Sequence, residues 1–591
     1  MPPVSSQSSQ SLSSPAVVPG ALPAESTVSS VSGLFRIEND PQGGLRLVGS
    51  NKLHPLLDHR MHSIIGMRLG DEGKGRSITE VIDELRCLTG IENPVALVIK
   101  VNGGANSGHT VIIEHEGETV KLGLNLTPTG IADKGVRHVA LGGGVLADPF
   151  KLTNEGNFLD SYGLDYWNRL LIDENCMVAD ISHRIRDIAD ESHRPFPRGS
   201  TGRGISPGYE DESNLSAIRW SLFRTGDFEA FKVLMQDRLE RCANRARYEC
   251  GWTEQQWNAV FEDITQKEIK AHEPALKRGT VTADSLDMTR FRGAEPFTFN
   301  VDRVIEEYWK EGVRRASLVT DVGEAALRIV SHGSEHVICE HGQGQGLDKR
   351  NGTSKSRTGS HTGTSEIHTS IRYPVTRRIN VIGIGKAYES AVGSHDFITK
   401  MDPDQGPDVA LAAKLRSTER GVTTGRQRDV GHYDAVQNGQ VLRTHGVDWL
   451  GINSIDRLTH EGAWQGNLKV CIGYQRPDGE QIQFVPREER DRKGLKPIYI
   501  EMPGWAEDIS GTNSFAQWPL AAQRYFATLI VAPTKIGFRG MLHTPPSPRA
   551  LFAGVGPGQG QIVKDIPEYA GLEALAYEVP IFGPPPPASE S

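Results

Sequence analysis

The chain has 591 residues, of which 24% are charged and 37% hydrophobic, and its formal net charge is −9. That length allows a large core and more than one domain, the acidic balance argues against a broad nucleic-acid surface, and no apolar run is long enough to span a membrane. Six cysteines (Cys87, Cys176, Cys242, Cys250, Cys339, Cys471) without a C-x-x-C pair read as reduced thiols of a cytoplasmic protein, not as a disulfide framework or a zinc site.

In chain order, residues 1–33 are rich in Ser, Pro, Ala and Val and are expected to be a disordered tail. They contain no Arg or Lys, which argues against a mitochondrial-type leader. The apolar residues Ile64 and Ile65 run into Gly66-Met67-Arg68-Leu69-Gly70-Asp71-Glu72-Gly73-Lys74-Gly75-Arg76. Glycines let backbone N–H groups approach a phosphate, and a following helix adds its dipole. Two carboxylates and a lysine in the same turn point further, to a base and a metal ligand beside bound phosphate. The loop is not the common P-loop motif: its first glycine would be position 68, which is Arg68, and Gly75 stands where that motif needs Ser or Thr.

Beyond the loop, Ile78, Val81, Ile82 and Leu85 fall at helical spacing over Ser77–Leu88. Val95–Ile99 is an all-apolar run typical of a buried parallel strand, and it precedes Asn102-Gly103-Gly104-Ala105-Asn106-Ser107-Gly108-His109-Thr110. Val111–Ile113 resumes as a strand, and Val139–Leu141 leads into three glycines. Residues 215–335 are richer in charge and Trp and read as a partly helical insertion, with helices over Phe228–Cys242 and Glu254–Ile269. Val337–Cys339 leads into Glu340 and Gln343, and Asp348–Glu366 reads as a long polar loop of the kind that is often functional. Ile379–Ile384 and Leu468–Ile472 are further strands, and the Pro-rich end at 583–591 cannot be helical. Strand, glycine loop and helix in repetition predict an α/β fold, with a large, mostly parallel central sheet flanked by helices and ligands at the strand ends.

Eight motifs in a fixed order, from about residue 62 to about residue 560, resemble those of the adenylosuccinate synthetase family. The loop at Gly70–Gly75 is similar to the family's G-D-E-G-K-G, and Gly103–Thr110 to its G-G-x-N-A-G-H-T. Gly199–Asp211 resembles G-T-T-G-R-G-I-G-P-x-Y-E-D, Glu340–Gly344 resembles E-G-A-Q-G, and Gly421–Arg428 resembles G-A-T-T-G-R-R-R. Asn453–Asp456 stands at T-K-L-D, and Glu501–Trp505 with Gly556-Pro557 completes the set. The resemblance implies a P-loop-like nucleotide-binding fold with helical and loop insertions, with a catalytic domain over about 62–565.

It also implies a reaction: aspartate is joined to inosine monophosphate (IMP) at the expense of GTP, through a 6-phosphoryl intermediate. On that resemblance Asp71 is the base at N1 and a magnesium ligand, with the Gly108 carbonyl as second protein ligand. His109 stabilises the transferring phosphoryl group, Lys74 adds positive charge, and Gln343 steadies the O6 oxyanion. GTP is expected on Gly70, Glu72, Gly73, Gly75, Arg76, Gly108, Thr110, Arg428, Asp456 and Gly556, with Asp456 accepting from the N1–H and N2–H of guanine. The purine monophosphate is expected on Asn106, Thr201, Thr358 and Arg426, and aspartate on Val422, Thr423 and Thr424 with help from Arg428. A homodimer is implied, with no nucleic-acid or membrane partner.

The chain departs from the family pattern at Arg68-Leu69, where the family has Gln-Trp, and at Ser454, Ala391 and Gln427. Glu212 and Leu215 replace a lysine and an arginine; in the family that arginine crosses the dimer interface to the substrate phosphate. Two alternatives therefore stay open: the same chemistry on another purine monophosphate, such as a guanylate or deoxynucleotide, or a nucleotide-binding paralogue without catalysis.

Overall fold

The computed structural model describes residues 36–39, 45–48, 54–392, 397–419, 427–541, 547–558 and 560–583. The tail at 1–33 and nearly all of 583–591 lie outside them. The centre is a ten-stranded sheet. Its strands, in chain order, are β1 (Met61–Gly66), β2 (Val95–Lys100), β3 (His138–Leu141), β4 (Leu170–Asp173), β5 (Val319–Thr320), β6 (His336–Glu340), β7 (Asn380–Lys386), β8 (Trp449–Asn453), β9 (Arg549–Gly554) and β10 (Ile562–Val563). In space they run β5-β4-β3-β2-β6-β1-β7-β8-β9-β10. All neighbours pair in parallel except the edge pair β9 and β10.

Both faces of the inner strands are covered, which is why they read as unbroken apolar runs. In β1, Ile64 packs in one core with helix α1 (Lys74–Thr89), while Ile65 packs in another with the C-terminal helix Leu520–Gly537. α1 begins after Gly73 at φ 85° and stops at Gly90 at φ 67°, both left-handed positions suited to glycine. Its buried stripe is Ile78, Val81, Ile82, Leu85 and Leu88, and each such side chain contributes about 1.5–3 kcal/mol on burial.

Val111–Ile113 and Leu468–Ile472 do form strands, but outside the central sheet. The first belongs to the hairpin His109–His115 and Glu118–Leu124; the second lies in a small sheet, antiparallel to Lys496–Met502. The stretch 215–335 holds the helices α2 (Phe228–Asn244), α3 (Glu254–Ala271) and α4 (Val301–Val313). Trp220, Phe231, Trp257, Phe261 and Tyr308 bury these helices in the same core as β2 and β3. Among the described residues no helix is long and apolar enough to cross a membrane.

Candidate active site

The sheet order puts a crevice at its middle. The chain leaves β1 toward β2 on one side, and β7 lies on the other, so loops diverge at the C-terminal ends of neighbouring strands. Five of the eight motifs occupy such loops. The first glycine loop follows β1, the His109 loop follows β2, Gln343 follows β6, Asp456 follows β8 and Gly556 follows β9.

The first loop is braced from within. Glu72 is buried; its Oε1 accepts from the backbone N–H of Arg68 at 2.9 Å and of Gly70 at 2.8 Å, and its Oε2 pairs with Lys74 Nζ at 2.9 Å. Burial alone would raise the Glu72 carboxyl, but the lysine and the N–H donors hold it below the ordinary range. Gly66 allows this packing, since a Cβ there would lie 2.7 Å from Lys74 Nζ and 2.8 Å from the Gln343 carbonyl. Asn453, at the end of β8, donates to the Glu72 carbonyl at 2.8 Å. The side chains of Glu72 and Lys74 are thus turned on each other.

Asp71, in contrast, points outward. Lys386 Nζ donates to its Oδ2 at 2.7 Å, and Arg428 Nη1 meets the same oxygen. Both cations also reach Glu419, each at 2.8 Å, and Tyr388 donates to Glu419 at 2.5 Å. Burial pushes the Asp71 carboxyl up, Lys386 and Arg428 oppose this, and Glu419 adds to the rise. The net direction is upward, toward an acid that can hold a proton.

His109 opens the hairpin beside α1. A Cβ on Gly75 would lie 3.0 Å from the Thr110 carbonyl and 3.2 Å from His109 Cβ, so the two glycine loops meet at Gly75. His109 Nδ1 meets Glu340 Oε1, at the end of β6. Glu340 Oε2 accepts from the Thr129 N–H at 2.7 Å and its hydroxyl at 3.0 Å. Burial would raise the Glu340 carboxyl, and His109, Thr129 and Lys100 bring it below the usual range. A carboxylate on Nδ1 fixes the imidazole and leaves Nε2 to face a ligand.

Gln343 sits at φ 58°, a left-handed conformation held by the surrounding loops. Both atoms of its amide are buried without a hydrogen-bond partner. A Cβ on Gly103 would lie 3.4 Å from Gln343 Oε1 and 3.4 Å from Asn106 Oδ1, which brings those two side chains together. Thr110 Oγ1 and Asp456 Oδ1 are likewise buried and unpartnered. Buried polar atoms are nearly always paired, so each orphan asks for a missing partner. Arg76 Nη2 donates to the Gln561 carbonyl at 2.7 Å and Nη1 to that of Gly556, which gathers Arg76, Gly556 and Asp456 at one end of the crevice.

At the other end, Gly108, Thr110, Thr201, Arg203 and Thr418 line one cleft of about 1200 Å³. Thr358 lies on the polar loop, its N–H on the Leu347 carbonyl at 2.8 Å. Val422, Thr423, Thr424 and Arg426 fall outside the described residues. Arg428, expected at the nucleotide or aspartate, is on Asp71 and Glu419. Sequence reasoning missed Lys386 and Glu419 and assigned no role to Glu340. Lys386 left one signal, a lone cation closing the apolar β7, whereas Glu419 left none. Among the described residues no three His, Cys, Asp or Glu side chains cluster as a metal centre.

Comparison with known proteins matches this chain to one family. The family model for adenylosuccinate synthetase matches residues 63–532. The adenylosuccinate synthetase of Salinibacter ruber is 31% identical over 469 residues, covering 78% of this chain and 92% of that protein. The enzyme of a Parafrankia species is 31% identical over 502 residues, covering 84% of this chain and 97% of that protein. Among solved structures, fully ligated adenylosuccinate synthetase from Plasmodium falciparum superposes with a TM-score of 0.65 at 22% identity, covering 85% of this chain and 99% of that one, a likeness of fold. The chain belongs to the adenylosuccinate synthetase family of carbon–nitrogen ligases.

Proposed function

We propose that the protein joins L-aspartate to C6 of IMP with GTP as phosphoryl donor, as a step of purine biosynthesis. The observation that carries this reading is a pairing: Asp71 clasped by Lys386 and Arg428, and His109 clasped by Glu340, on two loops that meet at Gly75. Asp71, with its raised carboxyl, takes the N1 proton of the purine. Charge then gathers on O6, where the unpaired Gln343 amide donates a hydrogen bond. O6 attacks the γ-phosphoryl group, the bond to the β-phosphate oxygen breaks and GDP leaves, while His109, oriented through Nδ1, presents Nε2 to the phosphoryl oxygens. The aspartate amine then displaces phosphate from C6, and Thr423 and Thr424 hold the aspartate carboxylates. Asp456 reads guanine through its unpaired Oδ1, so Asp456→Ala is expected to lose the preference for GTP over ATP, read as the ratio of kcat/KM values; an unchanged ratio refutes the assignment.

Magnesium fits the residues present. The Asp71 carboxylate and Gly108 carbonyl are hard oxygen donors of the kind it takes, with its other positions filled by waters and phosphate oxygens. The Thr110 hydroxyl, unpartnered among the described residues, lies two residues beyond that carbonyl in the chain. When bound, the ion would neutralise phosphate charge. We further propose a cytoplasmic homodimer, in keeping with Leu215, which is 94% exposed at the position where the family's crossing arginine is expected.

A second reading, the same chemistry on another purine monophosphate, is favoured by the substrate-phosphate end. There Lys267 and Lys270 of α3, from the insertion, line the cleft shared with Thr201. One assay separates the readings: protein, magnesium, GTP and aspartate with a panel of purine monophosphates. Phosphate release with IMP alone is expected. Release only with another purine installs the second reading, and release with none leaves a non-catalytic paralogue.

A further inference from the structure

A second cavity, of about 870 Å³, is lined by none of the residues assigned to ligation. It lies between the Arg68-Leu69 step of the first loop, the 353–355 part of the polar loop and the segments 397–403 and 489–495. Its charge is lopsided for a chain of net charge −9: Arg68, Lys355, Lys400, Arg490, Arg492 and Lys493 face it, against Asp402 and Glu489. Some of these cations are engaged already, Lys400 with Asp429 at 2.7 Å and Lys355 with Glu489 at 3.6 Å. Arg492 donates only to the carbonyls of Pro486 at 2.9 Å and Arg487 at 2.6 Å.

The informative residue is Arg68, which is 5% exposed. Its Nε donates to Glu389 at 2.8 Å and its Nη1 to Gln437 at 2.6 Å, while Nη2 is buried with no hydrogen-bond partner among the described residues. A buried guanidinium donor without an acceptor is costly, so its retention points to an acceptor supplied from outside. The wall beside it is apolar: Leu69 and Phe397 pack together with Ala391, and Met401 and Leu495 face the same space.

We propose that this cavity binds an organic phosphate of nucleotide size, with phosphate oxygens on Arg68, Arg492 and Lys493 and a flat ring against Phe397 and Met401. Its volume is that of a small-molecule site, and the guanidinium fork matches phosphate oxygens. The Arg68 backbone ties the cavity to the crevice. Its N–H holds Glu72 at 2.9 Å and its carbonyl accepts from Gly346 at 2.8 Å, so an anion held by this side chain bears on both loops.

The test is equilibrium dialysis of the full chain with ATP and, separately, inorganic tripolyphosphate, in magnesium and with GDP and IMP at saturation. The expected result is one ATP per chain that GDP does not displace, bound more tightly than tripolyphosphate. Arg68→Met should weaken it by about tenfold or more, the loss of a charge-assisted contact. The rim pair Lys355→Ala with Lys493→Ala, both exposed, should weaken it in the same direction and serves if the buried substitution disturbs folding. Binding that GDP abolishes, binding indifferent to these substitutions, or no binding of either probe overturns the site. Tripolyphosphate binding as tightly as ATP overturns the role of the apolar wall.

Discussion

The strand-end crevice and the helical stretch 215–335 both bury charged and polar side chains, but they complete them differently. In the helical stretch, Arg238 of α2 reaches Asp180 at 2.6 Å and Asp211 at 3.0 Å. Asp211 also receives Arg186 at 2.7 Å and His183 at 3.1 Å, which locks α2 to the helix Ile181–His193 and to the helix Ile205–Ser213. Burial would raise the Asp211 carboxyl, yet these partners hold it well below the usual carboxylate range. In the crevice, the Gln343 amide, the Thr110 hydroxyl and one oxygen of Asp456 end without partners. An unpaired buried polar group costs about 1–3 kcal/mol. Around Asp211 the charges are paired with one another and hold helices together, and the atoms left over in that stretch are single donors, among them Trp220 Nε1, Trp257 Nε1 and Arg238 Nε; in the crevice the leftover atoms include acceptors and a whole amide, on loops at the strand ends.

Substitutions can break this contrast. Asp71→Asn should lower kcat by roughly 10²–10⁴-fold, the usual contribution of a positioned base, with the melting temperature held near wild type. A matching loss of both would make Asp71 a structural residue. Arg238→Met should act the other way, costing about 3–5 kcal/mol in urea unfolding because it removes the guanidinium shared by two buried carboxylates, while kcat per folded molecule is retained. Gln343→Leu separates the two kinds of burial within one residue. Turnover should fall on the order of 10²-fold, as for loss of an oxyanion donor, yet the melting temperature should hold or rise because an unpaired amide has gone.

A pH dependence is expected at Glu366, on the helix Ser365–Ser370 that closes the polar loop. Burial pushes its carboxyl up to about 8, with Glu212 and Asp348 adding to the rise and Lys349 opposing it. Between the ordinary glutamate value of 4.5 and about 8 the folded state keeps a proton that the unfolded chain has lost, so stability falls as pH rises through that window and flattens above it. The slope is at most about 1.4 kcal/mol per pH unit. Urea unfolding from pH 5 to 8 should show it in the wild type and lose it in Glu366→Gln.

The centre of the fold was legible because its strands are apolar runs closing on glycine. Val95–Ile99, Val337–Cys339 and Ile379–Ile384 all became neighbours or near neighbours in the parallel sheet. Val111–Ile113 and Leu468–Ile472 read the same way yet joined other sheets, because strand partners are chosen by packing far along the chain. The glycine loops, His109 and Gln343 were legible as motifs. Lys386 was not: it lies 315 residues from Asp71, a distance no local spacing encodes. The internal Glu72–Lys74 pair was also missed, since the loop sequence does not reveal which of two adjacent carboxylates turns inward.

The central claim is that Asp71 and His109 act on one purine between them. It is tested most directly by following phosphate and the joined product together, by mass spectrometry, with GTP, IMP and aspartate. One aspartyl-purine nucleotide per phosphate is expected in the wild type and neither in Asp71→Asn or His109→Asn. Phosphate release that continues without IMP or aspartate, or product formation that survives both substitutions, would contradict it.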